Sequence, residues 1–128
     1  MEVSLATATR RLRQIDKTNV SQLVPRWSFA MDDATGLHTT PVVVNDIMYV
    51  TTANQCYALD AGSGRKIWHF QRPRSKALVG NASGGINRGV AVDGDRVFME
   101  TDNAHLLALN RFTGALLWDV EMANTSQN

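Results

Sequence analysis

An eleven-residue string that occurs twice, fifty residues apart, constrains the fold of this chain more than any other feature of its sequence. The first copy runs from Ala58 to Trp68 and the second from Ala108 to Trp118. In each copy an Ala-Leu pair leads into Asp or Asn, then a hydroxyl residue and a glycine, and finally an apolar residue and a tryptophan. Glycine supplies the positive φ of a tight turn and tryptophan a large packing surface, so each copy predicts strand, turn and strand. A period of this length is typical of stacked units such as propeller blades.

Further strands are predicted upstream of each copy. The turn Asn45-Asp46 separates two short apolar runs, and Asp93-Gly94-Asp95 does the same in the second repeat, which is typical of β-hairpins. Each repeat is therefore predicted to be a four-stranded antiparallel meander. The strands are expected at residues 41–44, 47–50, 56–59 and 67–71 in the first repeat and at 90–92, 96–99, 105–109 and 116–121 in the second.

Residues 42–44 and 47–50 are apolar at every position, whereas a strand with one solvated face alternates polar and apolar residues. Strands of this kind are covered on both faces, as they are when blades pack radially. We therefore predict an all-β chain that is a β-propeller fragment of about two four-stranded antiparallel blades with tryptophan-docking motifs. The blades are assigned to residues 31–76 and 77–128.

The N-terminal segment, residues 1–30, is expected to add one extra strand that belongs to the blade closing the ring. Its Trp27-Ser28-Phe29 has the same Trp-x-apolar pattern as the end of each repeat, which places the two apolar side chains on one face of a strand. A short helical turn entered at Asp16 is expected before it.

Composition excludes several classes of protein. The chain has 128 residues, 44% of them hydrophobic, and a formal net charge of +1. We expect no membrane span and no secretory signal, because no apolar run has the required length. The single Cys56 excludes an internal disulfide and is expected to be a small buried side chain. His69 and His105 have no partner at metal-ligand spacing and are expected to serve packing.

One segment of the chain is markedly basic. No acidic residue lies between Asp60 and Asp93, and two interpretations of this segment stay open: a solvated loop, or a surface that attracts an anion. Nucleic acid is disfavoured as that anion because few aromatic residues accompany the charges. The basic residues of the segment are Arg65, Lys66, Arg72, Arg74, Lys76 and Arg88.

From Gln14 onward the chain resembles the quinoprotein dehydrogenases that use pyrroloquinoline quinone (PQQ), and especially their alcohol and methanol dehydrogenases. The tryptophan motif alone also occurs in non-enzymatic propellers, but its combination with the other matching stretches is specific. The matching stretches are Gln14-Ile15-x-x-x-Asn19-Val20-x-x-Leu23-x-x-x-Trp27, Thr40-Pro41-Val42-Val43-Val44-x-x-x-Met48-Tyr49-Val50-x-Thr52, the two Ala-x-Asp/Asn-x-x-Ser/Thr-Gly-x-x-x-Trp motifs and Asn87-Arg88-Gly89.

The resemblance implies an eight-bladed propeller. In that family PQQ lies near the central axis over a calcium ion, takes a hydride from an alcohol and passes electrons to a cytochrome c, and a periplasmic location follows. The family's calcium ligands and catalytic Asp lie in later blades, so no catalytic and no metal-binding residue is expected in this chain. We therefore interpret it as the N-terminal fragment of a PQQ-dependent alcohol dehydrogenase, inactive when isolated.

The resemblance also implies which residues contact the cofactor. Arg88, framed by Asn87 and Gly89, is similar to the arginine that reaches the quinone oxygens in the family, where a permanent charge stabilises the oxyanion that develops on reduction. The chain departs from the family at two places. Ala82 and Ser83 stand where many members have adjacent cysteines joined as a disulfide ring, so Ser83 and the following Gly84 are expected to form only a wall of the cofactor site. His38 stands where methanol dehydrogenases have a Glu, and either binds a PQQ carboxylate or is a surface residue.

Two other interpretations remain. A non-catalytic PQQ-like propeller, as in the outer-membrane barrel-assembly machinery, would be a protein-binding scaffold, and it would need no counterpart of Arg88. A free-standing small β domain would assemble with copies of itself. Even as a fragment the chain is expected to be a homo-oligomer, because two stacked blades leave apolar faces uncovered.

Overall fold

The computed structural model of the chain describes residues 13–32, 36–76, 78 and 84–123. Its strands form two four-stranded sheets, ordered β1-β2-β3-β4 and β5-β6-β7-β8, and every neighbouring pair is antiparallel. We call the first sheet blade 1 and the second blade 2, and the two predicted meanders are thus confirmed. The strands are β1 (Val42–Val44), β2 (Ile47–Thr52), β3 (Gln55–Asp60), β4 (Lys66–Gln71), β5 (Ala91–Asp93), β6 (Arg96–Glu100), β7 (His105–Asn110) and β8 (Leu116–Glu121).

The turn between the third and fourth strands has the same construction in both blades. In blade 1 the Asp60 carboxylate accepts hydrogen bonds of 2.7 Å from the backbone N–H and the hydroxyl of Ser63. In blade 2 the Asn110 amide oxygen accepts the backbone N–H of Thr113 at 3.0 Å. Each turn ends on a glycine with positive φ, 73° at Gly64 and 74° at Gly114. The strand, turn and strand predicted from the repeat are therefore confirmed.

A tryptophan docks on each of these turns. The indole N–H of Trp68, from blade 1, donates to the carbonyl of Arg111 in blade 2 at 2.8 Å. The ring lies so close to Gly114 that a Cβ there would stand 2.7 Å from it. Trp27 docks in the same way on blade 1, donating to the carbonyl of Ala61 at 3.1 Å. Each glycine is thus required both by its backbone conformation and by the indole that covers it.

The main core lies between the blades. Trp68 and Cys56 of blade 1 pack against Met99 and Leu107 of blade 2, and all four are buried. Burial raises the pKa of the Cys56 thiol to about 12, so this cysteine is the buried apolar side chain that the sequence predicts.

The two outward faces of the blade pair differ. The outer face of blade 1, formed by Val50, Tyr57 and Leu59, is covered by Trp27 and neighbouring apolar residues of the N-terminal segment. The outer face of blade 2 is open, since Trp118 is 36% exposed and Val120 is 52% exposed.

The segment around Trp27 lies outside both sheets, and its assignment to a ring-closing blade stays a prediction. Residues 23–31 belong to neither sheet, and a short 3₁₀ helix at Val20–Gln22 precedes them. The segment is held by side chains, chiefly the Trp27 indole and the Phe29 ring, which lies edge-on to Tyr57 at 5.4 Å. None of the helices in the described residues has the length and hydropathy needed to cross a bilayer.

Candidate functional site

The segments that carry the candidate residues meet at one end of the two blades. The backbone N–H of Thr40, just before β1, donates to the carbonyl of Arg88, just before β5, at 3.0 Å. The antiparallel register brings the β2–β3 turn at Asn54 and the β6–β7 turn at Asp102 to the same end, where the two residues hydrogen-bond to each other. We call this the connection end. The turns on which the tryptophans dock lie at the opposite end.

A cavity of about 620 Å³ opens at the connection end. Its lining includes all three residues of the Asn-Arg-Gly step, with Phe98 and Leu106 as apolar walls and Glu100 as an acidic one. Pockets for small organic ligands fall in this range of volume and combine apolar walls with a few polar groups. The cavity can therefore accept a molecule of cofactor size.

Arg88 presents a free cation to this cavity. The residue is exposed, and within the described part of the chain its guanidinium has no ion-pair partner. Its backbone, by contrast, is held, because the carbonyl accepts the N–H of Thr40. A charged side chain on a fixed backbone at the mouth of a cavity is suited to bind an anion.

Asn87 is committed to contacts within the protein. Its amide oxygen accepts the hydroxyl of Thr51 at 2.6 Å and the backbone N–H of Gly89 at 2.9 Å. Its amide nitrogen donates to the carbonyl of Glu100 at 2.9 Å. The carboxamide thus joins β2 of blade 1 to β6 of blade 2 and closes a turn around Arg88.

Gly89 is packed against the segment before β1. Its φ is +126°, and a Cβ there would stand 2.8 Å from the backbone oxygen of Thr40. Only glycine can adopt this φ and lie so close to another backbone segment without strain. The Asn-Arg-Gly step therefore depends on its glycine for geometry.

Two arginines of the basic segment are neutralised by blade 2. Arg72 lies 2.8 Å from the Asp119 carboxylate and Arg74 lies 2.6 Å from the Asp102 carboxylate. His105 shares Asp119 with Arg72, at 2.5 Å, and its hydrogen bond together with the Arg72 charge holds the pKa of Asp119 below its usual value. At these two positions the basic segment is an inter-blade contact, not an anion-binding surface.

Asp102 is the buried centre of the second contact. Its side chain is only 4% exposed and accepts hydrogen bonds from Asn54, Arg74 and the backbone of Ser75. Burial alone would raise the pKa of this carboxyl, but the hydrogen bonds outweigh it and lower the pKa. The ionised carboxylate therefore fastens the connection end of blade 2 to blade 1.

The two other histidines lie apart from this site or at its margin. His69 stacks on Tyr57 with ring centres 4.0 Å apart and lies 2.8 Å from the Gln55 amide oxygen, while burial and nearby Lys66 lower its pKa. His38 is exposed and stands two residues before Thr40, next to the Arg88 segment, but it does not line the cavity. No group of three possible metal ligands occurs among the described residues.

The remaining predicted wall residues are not joined to the cavity by the described part of the chain. Ser83, with Ala82, lies outside the described residues. Gly84 is exposed, and a Cβ there would touch only the side chain of Ile86, at 3.9 Å. Contact of His38, Ser83 and Gly84 with a cofactor stays a prediction.

Thr39 and Thr51 are two site residues that the sequence reasoning missed. Their hydroxyls lie 3.0 Å apart, and Thr51 also binds Asn87. A signal was present, because Thr51 continues the face set by Ile47 and Tyr49 at alternate positions of β2, which points a hydroxyl into the core between the blades. A buried hydroxyl requires a hydrogen-bond partner, and that requirement predicts a polar neighbour.

Known proteins are similar to this chain in both sequence and architecture. The PQQ family described as "Glucose/ethanol/alcohol dehydrogenase, beta-propeller domain" matches residues 6–122. The quinoprotein ethanol dehydrogenase of Pseudomonas aeruginosa is 33% identical over 116 residues, which are 88% of this chain and 18% of that protein. The structure of the quinohemoprotein alcohol dehydrogenase ADHIIG from Pseudomonas putida HK5 matches with a TM-score of 0.77 at 37% identity, covering 88% of this chain and 17% of that one.

A third likeness concerns the fold alone. The structure of BamB from Moraxella catarrhalis matches with a TM-score of 0.51 at 24% identity and covers 62% of this chain and 23% of that one. The chain spans less than a fifth of the length of either dehydrogenase.

Proposed function

The chain belongs to the PQQ family of β-propeller domains found in glucose, ethanol and alcohol dehydrogenases, and we propose that it forms one part of the PQQ site of a PQQ-dependent alcohol dehydrogenase. In the whole protein the cofactor would accept a hydride from an alcohol. A calcium ion beside the cofactor, a cytochrome c as electron acceptor and a periplasmic location belong to the same proposal. A relative named a quinohemoprotein supports transfer of electrons to a haem.

The observation that carries the proposal is the uncommitted charge of Arg88. PQQ is a planar, anionic quinone, and a free guanidinium on a held backbone suits such a group beside a cavity of about 620 Å³, whose lining combines apolar walls with the acidic residues Glu100 and Asp102. The planar fork of arginine donates two parallel hydrogen bonds to a carboxylate or to adjacent oxygens. Arg88 would both anchor the ligand and stabilise negative charge on its oxygens.

The other residues of the connection end would shape the site. Gly89 lets the Arg88 segment lie directly against Thr40, and His38 stands at the margin where a ring nitrogen could donate to a carboxylate. The described residues contain no group of three metal ligands. From the resemblance to the family, we propose that later blades of the whole protein supply the calcium ligands and the catalytic base.

A scaffold function is the second candidate, and the likeness to BamB concerns the fold alone. Tryptophan docking serves both kinds of propeller, so it does not separate them. A scaffold would need no counterpart of Arg88, whereas a site for an anionic cofactor would need such a cation beside its cavity, and for this reason we prefer the cofactor site.

A titration of the folded chain with PQQ tests the proposal. We expect saturable binding that quenches tryptophan fluorescence, and Arg88→Gln is expected to weaken it at least about tenfold because a charge-assisted contact is lost. Arg88→Lys is expected to be intermediate, since it keeps the charge but loses the planar fork. Arg65→Gln is the matched control, because Arg65 is an exposed arginine of the turn at the opposite end of blade 1. Equal affinities for the Arg88→Gln and Arg65→Gln variants would overturn the assignment.

A further inference from the structure

The Asn87 carboxamide has little capacity left for a ligand. Its nitrogen points to the carbonyl of Glu100 and its oxygen to the N–H of Gly89, and only this orientation satisfies both partners. With the Thr51 hydroxyl added, the oxygen accepts two hydrogen bonds. One amide N–H of Asn87 has no partner given by these bonds, so the direct cofactor contact expected from the sequence could use only that donor and stays a prediction.

The direction of each hydroxyl proton follows from this orientation. Because an amide oxygen can only accept, the Thr51 hydroxyl donates to Asn87 at 2.6 Å. The Thr39 hydroxyl must then donate to the Thr51 oxygen across their 3.0 Å separation, while the Thr51 backbone N–H returns a bond of 3.3 Å to Thr39. Thr51 is 1% exposed, so water does not compete for these bonds.

The hydrogen bonds that link Thr39, Thr51 and Asn87 reach the backbone on both sides of Arg88. On one side the Asn87 oxygen binds the N–H of Gly89, two residues on, which closes a turn over Arg88. On the other side Thr39 is followed by Thr40, whose N–H binds the Arg88 carbonyl. The backbone of Arg88 is therefore fixed by β2 of blade 1 and by the segment before β1, although its own side chain has no partner in the described chain.

We propose that Asn87 and Thr51 are positioning residues that hold the Arg88 backbone so that its guanidinium faces the cavity. This inference rests on the proposed function, because it assumes that Arg88 binds an anionic ligand in the cavity. Asn87 and Thr51 touch no ligand in this scheme. They lower the conformational freedom that Arg88 would otherwise lose when an anion binds.

Two substitutions of Thr51 separate positioning from packing. Thr51→Val keeps the volume of the side chain and removes the hydroxyl, whereas Thr51→Ser keeps the hydroxyl and removes a methyl group. A packing role predicts that valine is the milder change. A positioning role predicts the reverse. Asn87→Ala removes all three carboxamide bonds, and Asn110→Ala is its matched control, because Asn110 closes an equivalent turn on the backbone of Phe112 and Thr113 at the opposite end of blade 2.

The first measurement is made without any ligand. The ¹⁵N–¹H heteronuclear NOE of the backbone of Arg88 and Gly89 reports how firmly the step is held. We expect the NOE values of Arg88 and Gly89 to fall clearly in Thr51→Val and Asn87→Ala. In Thr51→Ser and Asn110→Ala we expect the values of the unmodified chain. Equal NOE values in Thr51→Val and Thr51→Ser would overturn the proposal, and so would an Asn87→Ala variant that matches Asn110→Ala.

The second measurement is the affinity for PQQ. Loss of one buried hydrogen bond that orders the binding residue is expected to weaken affinity about fivefold in Thr51→Val, with Thr51→Ser within twofold of the unmodified chain. Failure of the unmodified chain to bind PQQ would contradict the proposed function and leave the NOE comparison to decide the positioning role. PQQ binding that Thr51→Val and Asn87→Ala leave unchanged would overturn the positioning role alone.

Discussion

Gly89 shows how much of the candidate site depends on one residue. Its φ of +126° and the 2.8 Å approach of a Cβ to the Thr40 oxygen leave Gly89→Ala with backbone strain and a clash against main chain. We expect this variant to lose about 2 kcal/mol of unfolding free energy. Gly94→Ala is the control, because Gly94 also has a positive φ, 55°, but a Cβ there would meet nothing within 4 Å. Urea melts of the two variants measure the difference, and equal losses would mean that backbone strain alone matters.

At the same scale the sequence predicts some residues of the site and not others. Arg88 is proposed from a local string, Asn-Arg-Gly, and within the described residues its exposed guanidinium has no ion-pair partner; its contact with a cofactor stays a prediction. The partners of Asn87 lie far along the chain, since Thr51 is 36 positions away. Nothing local to Asn87 indicates that its amide is already used. Hydrogen bonds between distant segments depend on the relative position of the two blades. That position results from the packing of the whole core and not from local sequence.

At the scale of elements, the contact of Asp102 with the segment after β4 makes the blade interface sensitive to acid. The pKa of Asp102 is lowered in the fold, so its contribution to stability is present above the usual value of 3.8 and is lost as pH falls through the lower folded value. We expect Asp102→Asn to cost about 2 kcal/mol at pH 7. The difference in melting temperature between the unmodified chain and the Asp102→Asn variant should become smaller below pH 4. Asp93→Asn, at an exposed residue ending β5, controls for the change of charge, and a difference that persists unchanged at pH 2 would contradict the assignment.

The two copies of the tryptophan motif can be compared with each other within one chain. Trp68 donates to the Arg111 carbonyl and is 7% exposed, whereas Trp118 occupies the same place in the repeat and is 36% exposed. Trp68→Phe is expected to destabilise the chain by about 2 kcal/mol, because it loses the hydrogen bond and leaves a gap over Gly114. In a sample dilute enough to be monomeric, Trp118→Phe is expected to change stability by less than about 0.5 kcal/mol. Chemical denaturation measures both, and similar losses would show that the motif is stabilised within its own blade.

At the scale of the molecule, the repeat predicts the blades but not what covers them. Two meanders with inward-facing apolar residues follow from the string and from the runs 42–44 and 47–50. The sequence argument leaves both outward faces open. In the structure, Trp27 and Phe29 cover the outer face of blade 1 without joining its sheet. The repeat does not predict this side-chain docking because the docking has no periodic signal, and the strand assigned there to the ring-closing blade stays a prediction.

The outer face of blade 2 is the surface through which we expect the isolated chain to associate. Phe98, Ala108 and Trp118 lie side by side on this face, in the register that Tyr49, Ala58 and Trp68 have on the covered face of blade 1. The blade 1 face lies in the interior of the blade pair, whereas on the blade 2 face Trp118 is 36% exposed and Phe98 is partly buried, and only the small Ala108 is fully buried.

We propose that two copies of the isolated chain associate through this open face. At roughly 25 cal/mol per Å², covering a few hundred Å² of apolar surface on each copy contributes on the order of ten kcal/mol, which offsets much of the entropy lost on association. The unmodified chain is then expected to be a homodimer at micromolar concentration, with a melting temperature that rises with concentration. Trp118→Glu is expected to give a monomer, while Val43→Glu, which places the same charge at an exposed apolar residue of β1, is expected to leave the dimer intact. Light scattering that returned a single species near 14.1 kDa for the unmodified chain, with a melt independent of concentration, would show that the open face is stable in water.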